Sequence, residues 1–204
     1  MIARSDSRIL WTLPAVVAGT GGRMEAAATM MWRHEPRVGW KGYTMTVSVT
    51  AAPHVASATE APRYAFFGCN AKILASGEET AGTYALAEMV FPAGSGTPPH
   101  IHYNEDEAFY VLEGEVSIWC GDESYVARTG DFAFLPRNVR HNYANTGSGD
   151  ARMLVLTNPA GFEQFVAEAG APTESVEIPE MPPVEELGRI MSDVAPKYGI
   201  VLAE

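Results

Sequence analysis

The chain has 204 residues, 47% of them hydrophobic and 19% charged, with a formal net charge of −11. That length suffices for one domain with a real core, and the composition is ordinary for a globular protein. No apolar run approaches the roughly 20 residues of a membrane helix, and the acidity disfavours nucleic acid and anionic membrane surfaces as partners.

Residues 1–44 differ from the rest. They hold three of the four tryptophans (Trp11, Trp32 and Trp40), and six basic residues against three acidic ones leave +3 there and −14 in the remainder. No amphipathic period runs through them, and Gly19 to Gly22 interrupts the segment. Ile9 to Ala18 after Arg4 and Arg8 has the outline of a short signal-peptide core, which Asp6 and Pro14 weaken. The compositional break before Met45 fits better with a natural start there, residues 1–44 being an extension; an arm covering a sheet or a dimer partner is the other reading. Cys69 and Cys120 form no metal-binding spacing and no disulfide framework, so two free thiols and a cytoplasmic location are expected.

From Tyr64 the pattern is mostly strand. Tyr64 to Cys69, Lys72 to Ala75 and Thr83 to Phe91 come first, with a turn at Ser76-Gly77. Pro98-Pro99 then favours extended backbone for His100-Ile101-His102, because proline fixes its own φ and keeps the preceding residue out of the helical region. On a strand, residues two apart share a face, so His100 and His102 project together. A short loop leads to a strand from Glu107 to Leu112; Glu113-Gly114-Glu115 turns into Val116 to Cys120. A hairpin-like return is expected to bring Glu107 beside the two histidines. Glu123 to Ala127 and Phe132 to Leu135 follow, and Pro136-Arg137-Asn138 is a turn. Val139, His141 and Tyr143 fall on one face of the next strand, and Arg152 to Thr157 is another. Turns recurring every 8–12 residues or so suit an all-β sandwich or barrel.

The period changes near the end. Phe162, Phe165, Val166 and Ala169 share a helical face, with Gly170 as stop. Pro179 to Pro183 is a stiff connector, and Val184 to Val194 is a second helix with Leu187, Ile190, Met191 and Val194 as its apolar stripe. These helices are expected to pack on an outer sheet face; closing the barrel mouth is the alternative. The division is therefore 1–44 extension, 45–160 β domain and 161–204 helical segment.

Of five histidines, three fall in this constellation with one glutamate: His100, His102, His141 and Glu107. Satisfied polar residues in a β core would explain one such histidine, but hardly three. Imidazole nitrogen with carboxylate oxygen suits nickel, iron, manganese, cobalt, copper or zinc. Glu107 is the one ligand able to swing and accept a proton, which makes it the candidate catalytic base. Phe109, Val111, Phe132, Phe134 and Tyr143 are candidates for an apolar wall that suits a small aromatic substrate.

Gly94, five residues, His100-x-His102, four residues, Glu107, six residues and Gly114 match the first cupin motif. Gly130, five residues, Pro136, His141 and Asn145 match the second, with Asn138 where that family usually has glycine. The chain thus resembles the cupin superfamily, which implies a double-stranded β-helix (jelly-roll) barrel holding one divalent metal on those four residues, and a homodimer. PPHIHYNEDEAFYVLEGEV, LTNPAGFEQFVAEAG and the ending near Lys197-Tyr198-Gly199-Ile200 further resemble bacterial quercetinase-type flavonol dioxygenases. That resemblance implies that Glu107, itself a ligand, deprotonates a flavonol hydroxyl and that O2 opens the heterocycle with release of carbon monoxide. A metal-dependent cyclase or isomerase acting on a polyketide-like substrate, for which zinc would serve, and a non-catalytic small-molecule-binding cupin are the competing readings.

Overall fold

The structure is a computed structural model that describes residues 51–203. The expectations for residues 1–44 lie outside the described residues.

The first hairpin joins Arg63–Phe66 (β1) to Cys69–Ala75 (β2), with Phe66 opposite Cys69. Phe67 (φ 49) and Gly68 (φ 72) form its two-residue loop, both left-handed as a tight hairpin requires. A single strand over Tyr64 to Cys69 is therefore corrected to the end of one strand, a turn and the start of another. An aromatic residue in the left-handed region hid that turn. Ala85–Phe91 (β3), His100–His102 (β4), Asp106–Glu113 (β5) and Glu115–Cys120 (β6) follow. Glu123–Arg128 (β7), Phe132–Leu135 (β8), His141–Asn145 (β9) and Ala151–Asn158 (β10) complete the main strands. Gly114 makes the β5–β6 turn at φ 84, where an added Cβ would sit 2.9 Å from the Asp150 carbonyl oxygen, so only glycine fits.

The chain then forms a helix, Phe162–Ala169 (α1), a two-residue strand, Ala171–Pro172 (β11), and a second helix, Val184–Asp193 (α2). A 3-10 turn over Ala195–Tyr198 leads into Ile200–Leu202 (β12). One antiparallel sheet runs β11-β1-β2-β3-β10-β5-β8 and the other β12-β4-β9-β6-β7. Alternate residues of the two inner faces meet in one core. Met89 and Phe91 of β3, Phe109 and Val111 of β5 and Met153 and Val155 of β10 face Val116, Ile118 and Tyr143 across the barrel. This is the jelly roll that the resemblance implies.

Two sequence expectations change here. The segment after residue 160 is more than helical, because β12 pairs with β4, placing Ile200 opposite His102 and Leu202 opposite His100. The helices do not simply cover an outer face either: Phe162 of α1 and Leu187 and Met191 of α2 line the same cavity as His100 and His102. Phe162 and Phe165 anchor α1 edge-on against Phe66 at the β1–β2 turn, which is how the helix reaches the barrel mouth.

Candidate metal centre

The His100, His102, Glu107 and His141 side chains converge inside the barrel, each offering a ligand atom within 4.8 Å of the others. Strand pairing explains how. His100 lies opposite His141 in the β4–β9 ladder, and His102 shares the face of His100. Glu107 does not return by a hairpin from β4; β5 belongs to the opposite sheet, so the carboxylate crosses the barrel to meet the imidazoles. All four residues are at least nine-tenths buried.

The outward nitrogens fix the protonation pattern. His100 Nδ1 lies 2.8 Å from the Pro98 carbonyl oxygen, and His141 Nδ1 lies 2.9 Å from that of Val139. A carbonyl only accepts, so both rings carry hydrogen on Nδ1. His102 Nδ1 meets Glu105 Oε1 at 3.0 Å, a carboxylate that again accepts. Each ring therefore keeps its Nε2 for the interior, the arrangement in which outer hydrogen bonds orient metal-binding histidines. Burial, and then the neighbouring His141, lower the His100 pKa to about 4, so this ring is neutral near pH 7.

His141 Nε2 and Glu107 Oε2 are 3.3 Å apart, and neither buried atom has a hydrogen-bond partner. With the hydrogen of His141 on Nδ1, these are two acceptors face to face. An uncompensated buried acceptor is costly, and a pair of them aimed at each other asks for a cation. The four residues fit one divalent metal ion on that ground. The Val139 carbonyl is in turn aimed by the preceding turn, where Asn138 adopts φ 66; asparagine tolerates the left-handed conformation that glycine would otherwise supply.

Beside this cluster lies a cavity of about 190 Å³ lined by His100, His102, Glu107, Tyr143 and an apolar wall. Phe66, Phe67, Met89, Phe91, Phe162 and Met191 supply most of that wall, and Ser95 and Thr97 are the polar side chains in it besides Tyr143 and the cluster. Burial pushes the Cys69 thiol up to about 12 and raises the Tyr143 phenol well above its ordinary value, so both stay protonated. A larger groove of about 490 Å³ runs between α1 and α2, but its charged lining (Glu168, Glu180, Glu186, Arg189 and Lys197 among others) includes none of the four.

Of the five wall residues named from the sequence, Tyr143 lines this cavity. Phe109 is buried behind it, their ring centroids 5.1 Å apart, and Val111 is in the core. Phe132 and Phe134 are a correction: they are 65% and 58% exposed on the outer face, beside Leu86, Tyr110 and Leu154. Leu135 is the buried residue of β8, so the inward face of that strand is the opposite one. The sequence reading missed Glu105, whose contact with His102 no spacing rule marks. It also missed Phe162, whose ring lies 6.0 Å from that of His102 at 34°, and the wall from the β1–β2 turn and α2.

Residues 87–157 match the family described as the cupin domain. Residues 87–157 are a cupin domain. The chain is 28% identical to a quercetin 2,3-dioxygenase of Bacillus subtilis (strain 168) over 71% of this chain and 42% of that protein, so it spans less than half of that relative. It is also 28% identical to the polyketide synthase CurC of Streptomyces cyaneus, over 52% of this chain and 70% of CurC. A solved structure from Thermotoga maritima, named a predicted oxalate decarboxylase, is 25% identical with a TM-score of 0.47, covering 52% of this chain and 99% of that one. Among the described residues, no helix of the chain is long and apolar enough to cross a membrane.

Proposed function

We propose that this cupin is a metal-dependent dioxygenase of the quercetinase type, cleaving a flavonol-like or other enolisable aromatic substrate with O2. The observation that carries the reading is the pair of unpartnered acceptors, His141 Nε2 and Glu107 Oε2, in a four-residue cluster that opens onto an apolar, aromatic cavity. His100, His102, Glu107 and His141 are the ligands in this reading, and nickel, iron, manganese, cobalt and copper all suit the set. A bound ion of this kind would make a coordinated hydroxyl more acidic. Glu107 then has the proton-accepting role, because the imidazoles have their second nitrogens committed to Pro98, Val139 and Glu105. Phe66, Phe91 and Phe162 line the cavity, an apolar surface that suits an aromatic ring. No lysine or arginine lines the cavity among the described residues, so apart from the bound ion itself a phosphate or a dicarboxylate would find no counter-charge. Similarity to a quercetin 2,3-dioxygenase supports the same reading. The protein acts as a homodimer in this proposal, and the segment after residue 160 closes the barrel while adding β12 to it.

The similarity to CurC favours a second reading, a metal-dependent cyclase or isomerase acting on a polyketide-like substrate. That enzyme would work with zinc and without oxygen. A small-molecule-binding cupin without turnover is the third. Anaerobic and then aerobic mixing of metal-loaded protein with flavonols, followed by absorbance and carbon monoxide, separates them. Oxygen-dependent bleaching with carbon monoxide release is expected; turnover that persists without oxygen supports the cyclase, and binding without turnover supports the third reading.

A further inference from the structure

Thr157 stands directly opposite Glu107 in the β10–β5 ladder. Residues opposite one another in an antiparallel pair project to the same face, with Cβ atoms about 4.5–5.5 Å apart. Both belong to the inner face: β10 buries Ala151, Met153, Val155 and Thr157 in alternation, and Glu107 is 3% exposed. Thr157 is 1% exposed, and its Oγ1 is buried with no hydrogen-bond partner, like the Oε2 of Glu107 beside it. These two and His141 Nε2 are the orphaned buried side-chain atoms among the described residues. A hydroxyl carries a donor and the carboxylate only accepts. Valine would fill the same space in this core with no unmade hydrogen bond.

We infer that Thr157 is a positioning residue for Glu107, its hydroxyl donating to the carboxylate when the cluster holds a cation. This rests on the proposed metal-ligand role of Glu107. Each histidine of the cluster has an outer partner: the Pro98 carbonyl for His100, Glu105 for His102 and the Val139 carbonyl for His141. Thr157 supplies the corresponding support for the fourth member. The hydrogen bond fixes which carboxylate oxygen faces the metal and holds the other in place.

The test uses the full chain with cobalt(II) as the probe, comparing wild type with Thr157→Val, Thr157→Ser and Thr157→Ala. Cobalt affinity is measured by chelator competition, its ligand environment by visible absorption, and the metal-free fold by thermal unfolding. Thr157→Val is expected to leave the metal-free Tm unchanged or raised. It should weaken cobalt binding by about tenfold or more, as loss of an outer-shell partner does, and shift the visible bands. Thr157→Ser should restore both affinity and spectrum, and Thr157→Ala should match valine if valine disturbs folding. Wild-type affinity and spectrum in both Thr157→Val and Thr157→Ala would overturn the inference while leaving the ligand assignment standing. A wild-type protein that binds no cobalt would overturn both.

Discussion

His102 and Glu105 are joined in the interior, Nδ1 to Oε1 at 3.0 Å, with each side chain 2% exposed. A buried carboxylate is tolerated when it is paired, and this one gives His102 an anionic partner where the other two histidines have backbone carbonyls. With Glu107, two carboxylates and three imidazoles gather at this centre. Two negative charges balance one divalent cation.

Glu105→Gln keeps an acceptor for the His102 N–H and loses the charge; Glu105→Ala loses both. Affinity for a divalent first-row ion should fall in the order wild type, glutamine, alanine, with alanine about 10–100-fold below wild type. Chelator competition at fixed pH measures it. Equal affinity in all three proteins would mean that Glu105 only fills space.

Glu107→Gln should separate stability from function. In the metal-free protein a side-chain amide can donate to His141 Nε2, removing the contact between two acceptors at 3.3 Å. Relief of that unsatisfied pair is expected to stabilise the metal-free fold by about 1–3 kcal/mol. The same variant should lose proton-accepting chemistry while retaining some metal. Thermal unfolding in the presence of chelator and turnover after metal loading give the two readouts, and wild-type turnover would remove Glu107 from the role of base.

Phe132→Ser and Phe134→Ser should leave metal content and turnover at wild-type levels, because both rings stand on the outer sheet face. Phe162→Ala should not. It opens the wall over His102 and empties a buried aromatic site, with a stability cost of about 3–5 kcal/mol. Metal analysis and steady-state kinetics on the three variants distinguish the two faces.

Glu168 ties α1 to the closing turn. Its carboxylate accepts from Lys197 Nζ at 2.5 Å and from the Tyr198 hydroxyl at 2.6 Å. The Lys197 and Tyr198 hydrogen bonds hold the Glu168 pKa below its ordinary 4.5. A carboxyl with a lowered folded-state pKa adds stability above the unfolded value, and that stability is lost as pH falls through the folded value. The Tm gap between wild type and Glu168→Gln should therefore be full near pH 7 and close as the pH falls below the ordinary 4.5 and through the lowered folded-state value. A gap that stays constant to low pH would show that these contacts contribute nothing through charge.

Much of the centre could be read from the chain because its chemistry is local. His100-x-His102 after two prolines is a strand with both rings on one side, and His141 follows a turn whose Asn138 adopts the left-handed conformation expected of it. The route of Glu107 was not legible, since a strand order crossing between two sheets leaves no mark on spacing. The wall was misread at β8 because both of its faces carry apolar residues, Phe132 and Phe134 outside and Leu135 inside. Alternation gives two faces without saying which one meets the core. The β1–β2 turn and α2 supply wall residues from far along the chain, and Glu105 and Thr157 act through neighbours that only tertiary pairing brings together.

The most direct test of the centre is metal stoichiometry, measured by elemental analysis on wild type, His100→Ala and His141→Ala after loading with cobalt or nickel and removal of free ions. Close to one ion per chain is expected in wild type and close to none in either variant. A full equivalent retained by both variants would contradict the convergence of these four side chains on one cation.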